Sequence, residues 1–152
     1  MRRQEQEITC RHALDELLRQ ATVLHLALHD EGRPYVLPLS YGYDGRCLYL
    51  HCAPEGRKID LLRRCPKVAF AVVVSQELQP QESPCAWGFR YQSILGEGLM
   101  HFVETPEETI YGLNVLMRQY GGQGGGYTPE SLQATLVLRL EITSLTGKQS
   151  GY

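Results

Sequence analysis

Between residues 21 and 52 the chain alternates, turns tightly and alternates again, and this pattern constrains its fold more than any other feature. Leu24, Leu26 and Leu28 fall on one side of an extended segment, with Val23, His25, Ala27 and His29 on the other, the period-two signature of a strand with one buried face. Asp30-Glu31-Gly32 supplies a tight turn, and residues 35–43 read as a second strand. Asp44-Gly45 is a strong hairpin signal, after which residues 47–52 form a third strand. Three strands joined this way make an antiparallel meander.

The flanking segments are of other kinds. Residues 9–20 read as a helix capped by Thr9, with Leu14, Leu17 and Leu18 at helical spacing. A second helix over 56–64 turns Ile59, Leu61 and Leu62 inward and stops before Pro66. Residues 67–75, rich in Val and Ala, read as a buried strand, followed by a polar, proline-bearing connection over 76–84. A long strand over 91–104 carries Gly96 and Gly98, which mark a bulge or a close backbone approach. Thr105-Pro106-Glu107-Glu108 is a capping box that opens a helix to Tyr120. A glycine loop over 121–126 reads as a mobile flap, a short helix spans 128–133, and a last strand over 135–143 alternates Leu136, Leu138, Leu140 and Ile142 with polar partners. Six strands, mostly hairpin-connected, predict a mainly β (α+β) fold, a small antiparallel closed or split barrel with flanking helices, over a βαβ sheet.

At 152 residues the chain holds one core and is read as a single domain over 1–152. A formal charge of −2 gives no overall basic excess of the kind nucleic-acid binders carry, so no nucleic-acid partner is expected. The longest apolar run, residues 68–74, is far short of the ~20 residues that cross a bilayer. The N-terminal Met1-Arg2-Arg3 is followed by polar and acidic residues where a signal peptide needs an apolar stretch. Cytoplasmic placement is the expectation. The five cysteines (Cys10, Cys47, Cys52, Cys65, Cys85) show no C-x-x-C and no even spacing, which reads as free thiols rather than disulfides or a zinc knuckle.

The segment most informative about chemistry is His51-Cys52-Ala53-Pro54-Glu55-Gly56-Arg57-Lys58-Ile59-Asp60. A strand ends, a Pro/Gly turn follows, and a helix opens with two cations in its first turn. The helix dipole disfavours cations there by a few tenths of a kcal/mol each unless an anion is present. A phosphate reverses the sign by accepting the first-turn N–H groups and pairing with both side chains. The plainer alternative is that both cations are solvated or that one pairs with Asp60. His51 points away from the leucine face of its strand, immediately before this turn, where it is either an ordinary hydrogen-bonding side chain or a neighbour of the ligand held at Lys58. Trp87 reads as a packed aromatic anchor or as a wall against a planar ligand. His25 and His29, about 13 Å apart along one strand, do not make a metal pair, and no metal site is expected. Gly147-Lys148 fails the P-loop pattern, and no G-x-S-x-G elbow is present.

At these residues the sequence becomes recognisable. The stretches Tyr35-Val36-Leu37-Pro38-Leu39-Ser40-Tyr41-Gly42-Tyr43, Leu48-Tyr49-Leu50-His51-Cys52-Ala53-Pro54-Glu55-Gly56-Arg57-Lys58-Ile59-Asp60-Leu61-Leu62 and Tyr91-Gln92-Ser93-Ile94-Leu95-Gly96-Glu97-Gly98 carry the likeness. The chain resembles the pyridoxamine 5'-phosphate oxidase-like FMN-binding split-barrel flavoproteins, and among them the 5-nitroimidazole-resistance branch. The resemblance runs from about residue 5 to Leu145-Thr146-Gly147-Lys148, and its middle motif is long and specific.

The resemblance implies a homodimer of six-stranded split barrels with FMN at the subunit interface. It implies that Leu37, Pro38, Leu39, Ser40 and Tyr41 run along the isoalloxazine edge, mainly through their backbone. It places His51, as a candidate acid, and Cys52 near the cofactor, gives Arg57 and Lys58 the phosphate, and brings Tyr91 and Ser93 in from another side, with Trp87 as a candidate wall. The expected activity is electron transfer from NAD(P)H or another donor, through FMN, to a small planar oxidant such as a nitroaromatic or a quinone. The chain departs from the pyridoxamine-phosphate oxidases in lacking their C-terminal extension with its tryptophan and arginine, so that oxidation is not expected. The competing reading is a non-enzymatic flavin or haem carrier of the same fold, and the histidines do not favour haem.

Overall fold

The computed structural model describes residues 3–152; Met1 and Arg2, part of the N-terminal segment considered above, lie outside the described residues. After a 3-10 turn at Gln4–Gln6, the elements in chain order are β1 (Glu7–Ile8), α1 (Arg11–Gln20), β2 (Val23–Asp30), β3 (Arg33–Ser40), β4 (Gly42–Tyr43), β5 (Cys47–Cys52) and α2 (Arg57–Arg64). There follow β6 (Lys67–Gln79), a 3-10 turn at Pro84–Ala86, β7 (Gly88–Phe102), α3 (Pro106–Gln119), α4 (Pro129–Gln133) and β8 (Leu136–Ser150). The strands form one sheet in the order β3-β2-β6-β7-β8-β5-β4, with β1 added on β8. Every ladder is antiparallel.

The expected six-stranded barrel is corrected on two counts: the described sheet has eight strands, and its hydrogen-bonded path is open. One added strand is the short β1, which pairs with the end of β8. The other arises because the strand read over 35–43 breaks at Tyr41. Along β3 the odd residues Tyr35, Leu37 and Leu39 turn inward and the even ones are exposed. Tyr41 also turns inward and is fully buried, but its N–H donates to the Tyr120 hydroxyl (3.2 Å) rather than to a strand. Its own hydroxyl donates to the Leu18 carbonyl at 2.7 Å. One residue later β4 starts on the opposite edge of the sheet. The two edges are therefore neighbours at Tyr41, which curls the sheet around its core without closing the ladder.

Three strands, β6, β7 and β8, also run further than their own residues suggested. Residues 76–79, read as a connection, pair with 88–91 in a two-stranded ribbon: Gln76↔Tyr91, Glu77↔Arg90, Leu78↔Phe89 and Gln79↔Gly88. β8 continues to Ser150 because β7 and β1 flank its polar end. In both places the cross-strand partner, not the strand's own hydropathy, decides. The expected irregularity near Gly98 is present as a register shift between Glu97 and Gly98.

Inside the curl, Leu24 and Leu26 of β2 meet Phe70 and Val72 of β6, Ile94 of β7, Leu138 and Leu140 of β8 and Leu48 and Leu50 of β5. Leu14, Leu17 and Leu18 of α1, with Ile59, Leu61 and Leu62 of α2, plug this core. A second, smaller core lies under α3, where Tyr49, Val103 and Val137 pack on Val115 and Leu116. α3 opens on the expected cap, the Thr105 hydroxyl accepting from the Glu108 N–H at 3.2 Å.

The C-terminal end of α3 fastens the Tyr41 junction. Gln119 Nε2 donates to the carbonyls of Leu18 (2.9 Å), Arg19 (2.9 Å) and Ala21 (2.7 Å), and its Oε1 accepts from the Tyr43 N–H at 3.2 Å. Gln119→Ala is expected to cost about 2 kcal/mol, because it strips α1's last carbonyls and a β4 N–H of their partner at once. At Gly42 an added Cβ would sit 2.6 Å from the backbone of Val115 and Leu116, so Gly42→Ala must push α3 outward, at about 3 kcal/mol. Urea unfolding checks both as a lowered midpoint at unchanged slope.

Candidate functional site

Chain direction changes abruptly after β5. Gly56, at φ 113° and ψ 168°, is in a conformation an L side chain rarely adopts, and it sets the entry to α2. Its carbonyl accepts from both the Ile59 N–H (2.9 Å) and the Asp60 N–H (3.2 Å). No side chain caps this helix, and the N–H groups of Arg57 and Lys58 donate to no acceptor among the described residues. α2 thus opens bare, with two orphan donors and the positive end of the helix dipole turned out.

The two cations beside these donors differ. Arg57 pairs not with Asp60 but with Asp30 at the end of β2: Nη2 lies 2.6 Å and Nε 3.2 Å from the same Oδ2. Its guanidinium also stacks on Tyr35 of β3, 4.5 Å from the ring centroid. The hydrogen bond from Arg57 holds the Asp30 carboxyl below the usual carboxylate range, against its own desolvation, with Arg64 and Arg33 adding to the pull. Lys58 is half-buried and has no carboxylate partner among the described residues. Its ammonium faces Cys52, whose thiol burial pushes above its ordinary value in spite of that charge.

The seam between the sheet's two edges leads away from this helix start. β3 pairs only with β2, and its other edge approaches β5 within 8 Å between Cα atoms without forming a ladder. Pro34 and Pro38 have no N–H to give, and they share the parity of Val36 and Ser40. A full β2–β3 ladder therefore draws on the odd residues and turns the Val36 and Ser40 N–H groups out into the seam. Ser40 ends β3 two residues before Gly42, and His51 lies two residues beyond Tyr49, the partner of Gly42, so both stand toward this end of the seam. His51 is exposed there, with its strand bonded on one side only, to Val137 of β8. The seam so runs from Ser40 and His51 at one end to Tyr35, Arg57 and Lys58 at the other.

Of the residues the sequence singled out, the structure brings together Leu37, Pro38, Leu39, Ser40, His51, Cys52, Arg57 and Lys58 around this seam. Tyr41 lies at its end with its ring in the core. Tyr91, Ser93 and Trp87 are elsewhere. Ser40 pairs with Val23, and Val73 pairs with Ser93; the β2–β6 register aligns Val23 with Val73, so Ser93 is three strand spacings from Ser40, roughly 14 Å. Trp87 stands half-exposed at the end of the β6–β7 ribbon, its indole N–H donating to the Gln81 carbonyl at 2.7 Å. Lys148, cross-strand from Ser93, places its ammonium 5.6 Å from the Tyr91 ring centroid. Sequence reasoning missed Asp30 and Tyr35 as site residues; the turn chemistry of Asp30-Glu31-Gly32 accounted for Asp30 without a partner, and only the fold brings α2 over that hairpin.

The outward face of β2, β3, β6 and β7 carries uncovered apolar residues: Val23, Val36, Val73 and Leu95 are 43%, 58%, 50% and 62% exposed, with Ala27, Ala69 and Ala71 between them and His25 and Glu97 interrupting the patch. No helix among the described residues is long and apolar enough to cross a membrane. No cluster of three or more potential metal ligands occurs among them either.

The family model described as pyridoxamine 5'-phosphate oxidase matches residues 11–149. The chain belongs to the pyridoxamine 5'-phosphate oxidase family. Among solved structures it is similar to a protein from Bacteroides thetaiotaomicron proposed to confer 5-nitroimidazole antibiotic resistance, at 30% identity over 93% of this chain and 85% of that one, with a TM-score of 0.84. It shares its fold with an FAD- and haem-binding protein from Mycobacterium smegmatis (24% identity, 97% and 74% covered, TM-score 0.86). A flavocytochrome from Azotobacter vinelandii has the same fold (17% identity, 100% and 72% covered, TM-score 0.82). No curated protein matches the sequence. Within the family's fold, the start of α2 is where this chain sets two N–H groups without acceptors beside two cations.

The position of Cys52 can be checked chemically. Because burial disfavours its thiolate, iodoacetamide at about pH 8 is expected to modify the exposed Cys10 and Cys85 first and Cys52 later. Lys58→Ala should slow Cys52 further by removing the charge that favours its thiolate. Peptide mass spectrometry over a time course reads the order, and faster labelling of Cys52 in the variant would contradict the geometry.

Proposed function

We propose that this protein binds FMN in the seam and acts as a flavin-dependent oxidoreductase. The observation that carries the reading is the start of α2, where two N–H groups without acceptors stand beside Arg57 and Lys58. This donor set fits a phosphate: N–H groups at a helix start, a guanidinium fork and an ammonium. Relatives of this fold that bind flavins support the choice of ligand, and the relative linked to nitroimidazole resistance supports a small planar oxidant.

Arg57, Lys58 and their N–H groups would hold the phosphate. The outward N–H groups of Val36 and Ser40, with the Ser40 hydroxyl, would face the electron-rich edge of the ring, where fixed donors stabilise developing negative charge. His51, toward the same end of the seam as Ser40, would donate a proton from its imidazole N–H there. Bound there, the flavin supplies two-electron transfer between a donor such as NAD(P)H and a nitroaromatic or quinone oxidant. The uncovered apolar residues on the outward face of β2, β3, β6 and β7 support a homodimer. Pairing through that face would let Tyr91, Ser93 and Trp87 of one subunit approach the seam of the other.

Purified protein is expected to take up FMN with the two-band visible spectrum of a flavin. Arg57→Ala/Lys58→Ala should weaken FMN binding about a hundredfold, since each charge-assisted contact contributes about 1.5 kcal/mol or more. A colourless protein that does not take up FMN, or a Soret band in its place, would overturn the reading. Anaerobic mixing with NADPH separates enzyme from carrier: bleaching of the flavin is expected, and a flavin left oxidised by NADPH and NADH argues for a carrier.

A further inference from the structure

We propose that Asp30 is a positioning residue that presents Arg57 to the phosphate. The proposal rests on the phosphate reading of α2 given above. A guanidinium has two edges that can each grip an anion, one formed by Nε and Nη2 and one by the two terminal nitrogens. Asp30 Oδ2 occupies the first edge, at 3.2 Å from Nε and 2.6 Å from Nη2. The terminal edge, Nη1 and the remaining Nη2 hydrogen, has no partner among the described residues. Tyr35 lies under the flat face, 4.5 Å from the guanidinium carbon. With one edge and one face fixed, the plane of the group is fixed, and only the terminal edge is free for a ligand.

The same carboxylate reaches further. Its Oδ1 lies 3.6 Å from Arg64 Nη2 in the last turn of α2, and Arg64 Nη1 pairs with Glu31 Oε1 at 2.8 Å. Asp30 and Glu31 belong to the turn joining β2 and β3, and Glu31 itself holds the positive φ (49°) that this turn requires. Both ends of α2 are thereby tied to the hairpin whose outer strand lines the seam. Without Asp30, Arg57 keeps its charge and its stack on Tyr35 but loses the carboxylate that fixes its edge, and α2 keeps only the Arg64–Glu31 pair to the turn.

A bystander carboxylate would behave differently. Were Asp30 only a competitor for Arg57, its removal would free the guanidinium and tighten phosphate binding. Titration of the full-length protein with FMN and with riboflavin, which lacks the phosphate, separates these cases by flavin fluorescence. Asp30→Asn is expected to weaken FMN binding about tenfold, as loss of one oriented charge-assisted contact, and to leave riboflavin binding within about twofold. Asp30→Glu should recover most of the FMN affinity. Tighter FMN binding by Asp30→Asn, equal loss for both flavins, or no change for either would overturn the positioning role while leaving the phosphate site standing. If Arg57→Ala/Lys58→Ala weakens FMN no more than riboflavin, the phosphate reading itself falls, and the role of Asp30 with it.

Discussion

The sheet has two ends, and the chain connects them with one residue. β3 and β4 stand at opposite limits of the strand order, yet only Tyr41 separates them. Since successive Cα atoms are 3.80 Å apart, those limits must meet, and the sheet has to curl into a barrel whatever its ladders do. Closure is therefore covalent at one point and absent along the rest of the edge. Burial keeps the Tyr41 hydroxyl protonated far above its ordinary range, so it remains a donor to the Leu18 carbonyl. Gln119 and Tyr120 complete the fastening from α3. A hydrogen-bonded closure would have consumed the outward N–H groups of β3; the covalent one leaves them for something else.

Charge placement at α2 follows from the same curl. Wrapping the sheet lays the start of α2 over the β2–β3 turn, and the acid in that turn meets Arg57. An exposed pair of this kind contributes little, enough to offset the small penalty that the helix start sets on a cation. Arg57 is thus roughly compensated. Lys58 is not: it meets the helix dipole, a thiol that burial keeps protonated and no carboxylate. A half-buried ammonium in that position is tolerable in isolation and favourable only beside an anion, which is why the two neighbouring cations do not have equivalent roles.

Much of this arrangement was legible in the sequence. Period-two alternation located β2, β5 and the first half of β8, a Val- and Ala-rich run located most of β6, helical spacing located α1 and α2 with the faces they bury, and a capping box located α3. The anomaly of two cations at a helix start marked the place where two N–H groups without acceptors stand beside them. What was not legible depended on partners. Residues 76–79 and 144–150 are too polar to announce themselves as strands, and they are strands because 88–91, β7 and β1 lie beside them. The break at Tyr41 could not be seen, because its alternation is unbroken and only its hydrogen-bond partner changes. Asp30 looked complete as a turn residue, and its tie to Arg57 spans 27 positions in sequence.

The two faces of β2 and β6 are built from alternate residues. On β2 and β6 the inward residues are Leu24, Leu26, Phe70 and Val72, while Ala27, Ala69 and Ala71 face outward beside Val23 and Val73. Small residues in the middle, with larger apolar ones around them and His25 and Glu97 among them, leave apolar area that solvent penalises and another surface can cover. Ser93 and Tyr91 lie along the border of this surface, and the β6–β7 ribbon carries Leu78, Trp87 and Phe89, all about half-exposed, beyond it. Within one chain these groups have nothing to act on, being some three strands from the seam. On the proposed dimer the burial that drives association and the delivery of the ribbon's aromatics to a neighbouring seam are one event, so a substitution such as Ala71→Glu in the middle of that face should lower flavin affinity without touching any residue of the seam.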